Sequence, residues 1–207
     1  GAFSNTVTGL ASNTVYHYRC WASNAAGVAW ATTSAVFATL SGPLIHHVSL
    51  IGGHVSPFAT WTTAATNIQA AIDAAAAGEV VLVTNGVYFG PGNRDLSFNG
   101  KGIELRSCNG ATATVLNCGR QRAFRAVSAE PIGALVEGFS FTNAFVSHAG
   151  DWSHDGTILI REASIEFRNC IFVENEVRSD YVTSSTEILS AASTGTVPRS
   201  VVVRGCL

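Results

Sequence analysis

The densest group of reactive side chains in the sequence is Ser147-His148-Ala149-Gly150-Asp151-Trp152-Ser153-His154-Asp155-Gly156. Two carboxylates, two imidazoles and an indole in so short a stretch admit several chemistries. The acids and imidazoles are ligand types for a metal ion. Trp152 offers a flat face to a sugar ring, while Asp151, His154 and Asp155 are placed to bind its hydroxyls. Acid–base hydrolysis of a glycosidic bond needs two carboxyls about 5–9.5 Å apart, a spacing open to Asp151 and Asp155. The simplest reading is a solvated loop with Gly150 and Gly156 as turn residues. Among the chemical readings, sugar contact through Asp151, Trp152, His154 and Asp155 is preferred to metal binding or catalysis. A second pair, His46 and His47, is adjacent on an expected strand. Neighbouring strand residues point to opposite faces, so this pair makes a poor shared metal site and reads as structural.

The chain that must position these groups has 207 residues, 47% apolar and 13% charged, against about 25% charged in an average soluble domain. Such poverty of charge, with abundant Gly, Ala, Val, Thr, Ser and Asn, indicates a β-rich protein of extracellular or cell-surface type. A formal charge of −2 gives no electrostatic case for nucleic acid. No apolar run reaches the roughly 18 residues needed to span a bilayer. The five cysteines, Cys20, Cys108, Cys118, Cys170 and Cys206, form no CxxC pair, which disfavours a zinc ribbon. They are expected mainly as buried thiols, a Cys108–Cys118 disulfide being the lesser alternative. No cofactor is expected, and calcium is not indicated. The sequence opens Gly-Ala-Phe without a methionine and closes Arg204-Gly205-Cys206-Leu207 partway through a strand pattern. A piece of a longer protein is therefore expected.

Residues 1–40 alternate in the β manner, Val15, His17 and Arg19 interleaving with Tyr16, Tyr18 and Cys20. The run Leu10-Ala-Ser-Asn-Thr14-Val-Tyr16-His-Tyr18-Arg19, then Ala22-Ser-Asn24-Ala-Ala-Gly27, then Phe37-Ala-Thr39, resembles the last strands of a fibronectin type III domain. The resemblance implies an incomplete β-sandwich module over residues 1–40, with a final hairpin turn at Asn24 and Gly27. A stretch this short cannot bury enough surface to stand alone. Residues 41–59 read as linker and lead-in, starting at Ser41-Gly42-Pro43.

From residue 60 the pattern changes. Ile68, Ala71, Ile72 and Ala75 fall on one face of a helix, with Thr66 as N-cap and Gly78 as C-terminal stop. A strand follows at Glu79–Val83, then an Asn85-Gly86 turn and Tyr88. This unit, Ile-Gln-x-Ala-Ile-Asp-Ala-Ala followed by Gly-x-Val-Val-Leu-Val-x-x-Gly-x-Tyr, is similar to the N-terminal cap and first coil of the pectate-lyase-like right-handed parallel β-helix superfamily. The resemblance implies an all-β fold over residues 60–207 with a capping α-helix. Such a helix shields core side chains and strand edges at the open end.

Repeats support that implication. Leu105-Arg106-Ser107-Cys108, Val136-Glu137-Gly138-Phe139, Phe167-Arg168-Asn169-Cys170 and Val203-Arg204-Gly205-Cys206 align, their third residues 31, 31 and 36 positions apart. Thr114–Gly119 and Phe124–Val127 read as further strands, giving three per period. Stacked coils place like residues above like. Ile103, Leu105, Val115, Leu116, Val136, Phe139, Phe141, Ile158, Ile160, Ile165, Phe167 and Phe172 are expected to face inward. Asn109, Asn143 and Asn175 are expected at strand ends, where asparagine tolerates unusual dihedrals and can bond the neighbouring coil.

Family resemblance alone does not confer activity. The Asn-Thr-Asp, paired Asp-Asp, Gly-His-Gly and Arg-Ile-Lys motifs of polygalacturonase-like members are missing from the sequence. Arg106, Arg168 and Arg204 can stack, but no acidic ladder is expected beside them, and they read as an exposed solvated row. No catalytic residue can be named. The expected function is a structural or adhesive surface module able to hold polysaccharide. The alternative is the N-terminal part of a polysaccharide lyase or glycoside hydrolase whose catalytic coils lie beyond residue 207.

Overall fold

A computed structural model describes residues 7, 10, 14–39, 42–148, 157–179, 189–192 and 200–207. The chain divides into two compact units, Gly1–Pro43 and Leu44–Leu207.

The first unit consists of two antiparallel pairs. Strand β1 (Val15–Tyr18) pairs with β4 (Ala35–Ala38), and β2 (Trp21–Asn24) pairs with β3 (Gly27–Trp30). The β2–β3 hairpin turns over Ala25 and Ala26. There the Asn24 side chain accepts from the Ala26 amide at 2.8 Å, and Gly27 takes φ +134°, which favours glycine. Opposed aromatic side chains meet across both pairs. The Tyr16 and Phe37 rings stack at 5.7 Å, and Trp21 and Trp30 lie 6.2 Å apart.

The second unit starts at β5 (Ile45–Val48), inside the stretch expected to be linker and lead-in. Helix α1 (Ile68–Ala74) follows, then β6 (Val80–Val83), β7 (Gly86–Phe89), β8 (Leu96–Ser97), β9 (Glu104–Ser107), β10 (Thr114–Asn117) and β11 (Phe124–Ala126). Next come β12 (Leu135–Glu137), β13 (Ser140–Thr142), β14 (Phe145–His148), β15 (Ile158–Arg161) and β16 (Ile165–Arg168). The described strands end with β17 (Ile171–Val173), β18 (Glu176–Ser179), β19 (Leu189–Ala192) and β20 (Val201–Arg204).

All strand pairings among the described residues of this unit are parallel. A six-stranded sheet runs β5-β6-β9-β12-β16-β20; two four-stranded sheets run β7-β10-β13-β17 and β8-β11-β15-β19; β14 pairs with β18. From β6 onward the chain visits the three larger sheets in constant order. Each visit adds a strand beside the one laid down a circuit earlier. Among its described residues the unit is all-β apart from α1.

In-register stacking makes the core columnar. In the six-stranded sheet Val81, Leu105, Val136 and Phe167 stand opposite one another and are fully buried. Tyr88, Leu116 and Phe141 form a second column, and Leu96, Phe124 and Ile158 a third. Ten of the twelve expected inward residues are buried. Phe172 is half-buried against the core. Val115 is the exception, because its neighbour Leu116 takes the inward position and strand alternation sends Val115 outward. All three expected asparagines bond across circuits: Asn109 to Asn85, Asn143 to Asn117, and Asn175 to Ala144 and Phe141. Of the three, Asn143 takes positive φ.

Two expected helix boundaries shift. The N-cap is Asn67, whose side chain accepts from the Ala70 amide at 2.9 Å; Thr66 instead donates to His54 Nδ1. Asparagine at this position reaches the third helical amide, so the better-placed of two capping types wins. At the other end the helix stops at Ala75, before Gly78. Lys101 Nζ donates to the carbonyls of Ile72 and Ala75, supplying the partners that a helix C-terminus lacks. The helix buries Ile68, Ala71 and Ile72 and packs on β5, β6 and β8. Residues 58–65 run along the outer side of β5: His47 N–H donates to Phe58 O, Ala65 N–H to His47 O, and Ser49 N–H to Ala65 O.

All five cysteines are free thiols. Cys118 and Cys170 are buried, and burial pushes both thiols up to about 12. Cys206 is half-buried, whereas Cys20 and Cys108 are exposed, against the expectation of mainly buried thiols.

Candidate functional site

The expected sugar-contact residues Asp151, Trp152, His154 and Asp155 lie outside the described residues. The chain enters their segment from β14 and leaves it before Thr157.

His46 and His47 do point to opposite faces, and each has structural partners. His46 is buried, its Nδ1 2.7 Å from Pro57 O and its Nε2 2.8 Å from Glu79 Oε2. His47 is 3.2 Å from Phe58 O and meets the edge of Trp61. Glu79 also accepts from the Ala76 amide. That hydrogen bond, followed by the one to His46, holds the Glu79 carboxyl below the usual glutamate range. A group with a lowered native pKa stabilises the fold above its unfolded pKa and loses that contribution as pH falls through the native one. Stability is therefore expected to fall as acid is added below about pH 5, and Glu79→Gln should flatten part of that fall. Urea midpoints for both proteins at several acid pH values check this; parallel curves would refute it.

The described surface with the densest ordered chemistry is the outward face of the six-stranded sheet. Alternation turns one residue of each adjacent pair outward, and parallel register aligns those residues into columns. One column reads Leu82, Arg106, Glu137, Arg168, Arg204; the other reads Val80, Glu104, Leu135, Glu166, Val202. Opposite charges meet both along the first column, where Glu137 stands between Arg106 and Arg168, and between the columns, where Glu104 and Glu166 lie beside the arginines. Arg106 lies 2.8 Å from both Glu104 and Glu137. Arg168 is 2.9 Å from Glu166 and 3.9 Å from Glu137, and Arg204 is 3.6 Å from Glu166. Arg168 donates to Glu166 through Nε and Nη2, and these hydrogen bonds raise its pKa above the ordinary value.

An acidic ladder does stand beside the arginines, correcting the expectation of a lone solvated row. The three arginines were legible as a stack in the aligned repeats. Two things hid their partners. Glu137 occupies the slot that holds arginine in the other repeats, and Glu104 and Glu166 lie two residues earlier, which is the same face in a strand.

Shallow depressions flank the ladder. One is bordered by Glu104, Arg106, Leu135, Glu166 and Arg168, the other by Arg106, Ser107, Glu137 and Asn169. Gly138 borders the second, with φ +78° and an absent Cβ that would meet Gly110 Cα at 3.2 Å. The face therefore offers guanidinium donors and carboxylate acceptors at a repeat of about 4.8 Å, the spacing of adjacent strands. Every carboxylate in it is ion-paired with an arginine. Among the described residues there is no group of three His, Cys, Asp or Glu side chains placed to hold a metal. Nor, among them, is any helix long and apolar enough to cross a membrane.

Compared with known protein families, curated proteins and solved structures, the chain matches none.

Proposed function

We propose that residues 44–207 are the opening coils of a right-handed parallel β-helix closed at its start by α1. Residues 1–43 are then the closing strands of a fibronectin type III-like module. The protein serves as an extracellular or cell-surface structural and adhesive element that holds polysaccharide along the outward face of its six-stranded sheet. Three parallel sheets visited in fixed order support the fold. The functional reading is carried by the in-register Arg106–Glu137–Arg168–Arg204 column with Glu104 and Glu166 beside it. Sugar hydroxyls both give and take hydrogen bonds, and this face sets carboxylate acceptors beside guanidinium donors on successive strands, along one direction as a polymer runs.

Affinity electrophoresis of the whole chain through gels containing pectin or alginate tests this. Migration should be retarded by at least one of the two polymers, and the retardation lost in Arg106→Ala/Arg168→Ala. Both side chains are partly exposed and lie off the core, so circular dichroism should match the parent. With each protein's mobility taken relative to a polymer-free gel, no retardation of the parent, or equal retardation of both proteins, overturns the reading. Release of unsaturated or reducing sugar would replace it with an enzymatic one.

A further inference from the structure

Two of the five thiols occupy equivalent corners of consecutive circuits. Register pairs Arg168 with Arg204, and the ladder continues past the strand ends: Asn169 N–H donates to Arg204 O at 2.9 Å and Leu207 N–H to Cys170 O at 3.0 Å. In a parallel ladder those two bonds set Asn169 opposite Gly205 and Cys170 opposite Cys206. Both corners turn alike, Asn169 at φ +52° and Gly205 at φ +60°. Cys206 Sγ already leans toward the earlier circuit, accepting from the Cys170 amide at 3.4 Å and lying 3.7 Å from Phe167 O. Adjacent strands place opposed Cα atoms about 4.8 Å apart, inside the range of about 4.4–6.8 Å that a disulfide spans.

We propose that Cys170 and Cys206 form a covalent modification site, an inter-circuit disulfide made when the protein meets a small-molecule disulfide. Cys206 is the half-exposed member and the point of entry. Its sulfur attacks one sulfur of the reagent, forming a mixed disulfide and expelling one thiol. Cys170 now rotates about its Cα–Cβ bond, away from the Val136 and Arg168 carbonyls that its thiol faces, and attacks the Cys206 sulfur, expelling the second thiol. In balance, two protein thiols and one reagent disulfide give one protein disulfide and two reagent thiols. Burial holds Cys170 in its protonated form, which makes this second step the slow one. The other three thiols have no such partner in register: Phe139 stands between Cys108 and Cys170 in the aligned corners.

The test is incubation of the whole chain with excess oxidised glutathione, followed by denaturation, blocking with iodoacetamide and peptide mass spectrometry. A cross-linked peptide joining residues 170 and 206 is expected, absent from Cys206→Ala. The oxidised protein should unfold about 5 °C or more above the reduced one. Glutathione retained on Cys206 with Cys170 alkylated, both residues alkylated, or Cys206 joined to another cysteine would each overturn the proposal. Because the mass readout is independent of stability, a destabilised variant does not obscure it.

Discussion

Phe167→Ala is expected to destabilise the protein by about 3–5 kcal/mol, the range for deleting a fully buried phenylalanine. Phe167 belongs to the six-stranded sheet, yet its ring lies 5.8 Å from Phe124 in the third sheet and 6.4 and 6.1 Å from Phe141 and Phe172 in the second. Removing it opens a hole where all three sheets meet, and the backbone ladders on every side resist collapse into it. Phe167→Leu keeps much of the volume and should lose clearly less. Val203→Ala, in the same column one circuit later but half exposed, should lose less again. Urea denaturation followed by circular dichroism checks the order. A Phe167→Ala loss below about 1 kcal/mol would mean that the column is not the core.

Glu130→Ala is expected to cost about 2–6 kcal/mol, from leaving two buried amides unpaired at about 1–3 kcal/mol each. Glu130 is fully buried, and its carboxylate accepts from Gly100 N–H and Ser128 N–H, both at 3.1 Å. Its backbone carbonyl accepts from Ser164 N–H at 2.8 Å. Residues 100, 128–130 and 164 belong to three successive circuits at the same corner, so one residue ties them together. Glu130→Gln keeps one accepting oxygen but turns an amide nitrogen toward the other N–H, and about 1–3 kcal/mol is expected. Urea midpoints of the three proteins give the comparison, and hydrogen exchange at Gly100 and Ser128 shows which amide is freed. Indistinguishable midpoints for Glu130→Ala and the parent would contradict the assigned role.

The sequence carried the inward columns because two periodicities coincide there. Strand alternation fixes which neighbours face in, and the 31-residue repeat says which of them align, as for Leu105, Val136 and Phe167. Where apolar residues are adjacent, alternation alone is ambiguous. Val115 and Leu116 are both good strand residues, and only register with Tyr88 and Phe141 decides between them. The helix start slipped by one residue because Thr66 and Asn67 are both capping types. The choice depends on His54, from a loop twelve residues earlier, which engages Thr66. Asn93, which accepts from the Ile68 amide at 3.0 Å, adds a further anchor from a later loop. The charged face was half legible: the arginines align in the repeats, but their partners sit at a different offset and in a different repeat. The fate of Glu130 had no sequence signal, since nothing local marks an isolated glutamate before proline as buried.

The segment alongside β5 has a consequence for how copies of this protein behave at high concentration. Phe58 O and the Ala65 N–H and O occupy His47 N–H and O and, just past β5, Ser49 N–H, groups that would otherwise be held out to a stranger. A passing extended peptide finds that stretch of the edge already paired, which disfavours fibre growth or strand exchange there. The 58–65 segment thus acts as a chain terminator for association, a role its unremarkable composition does not announce.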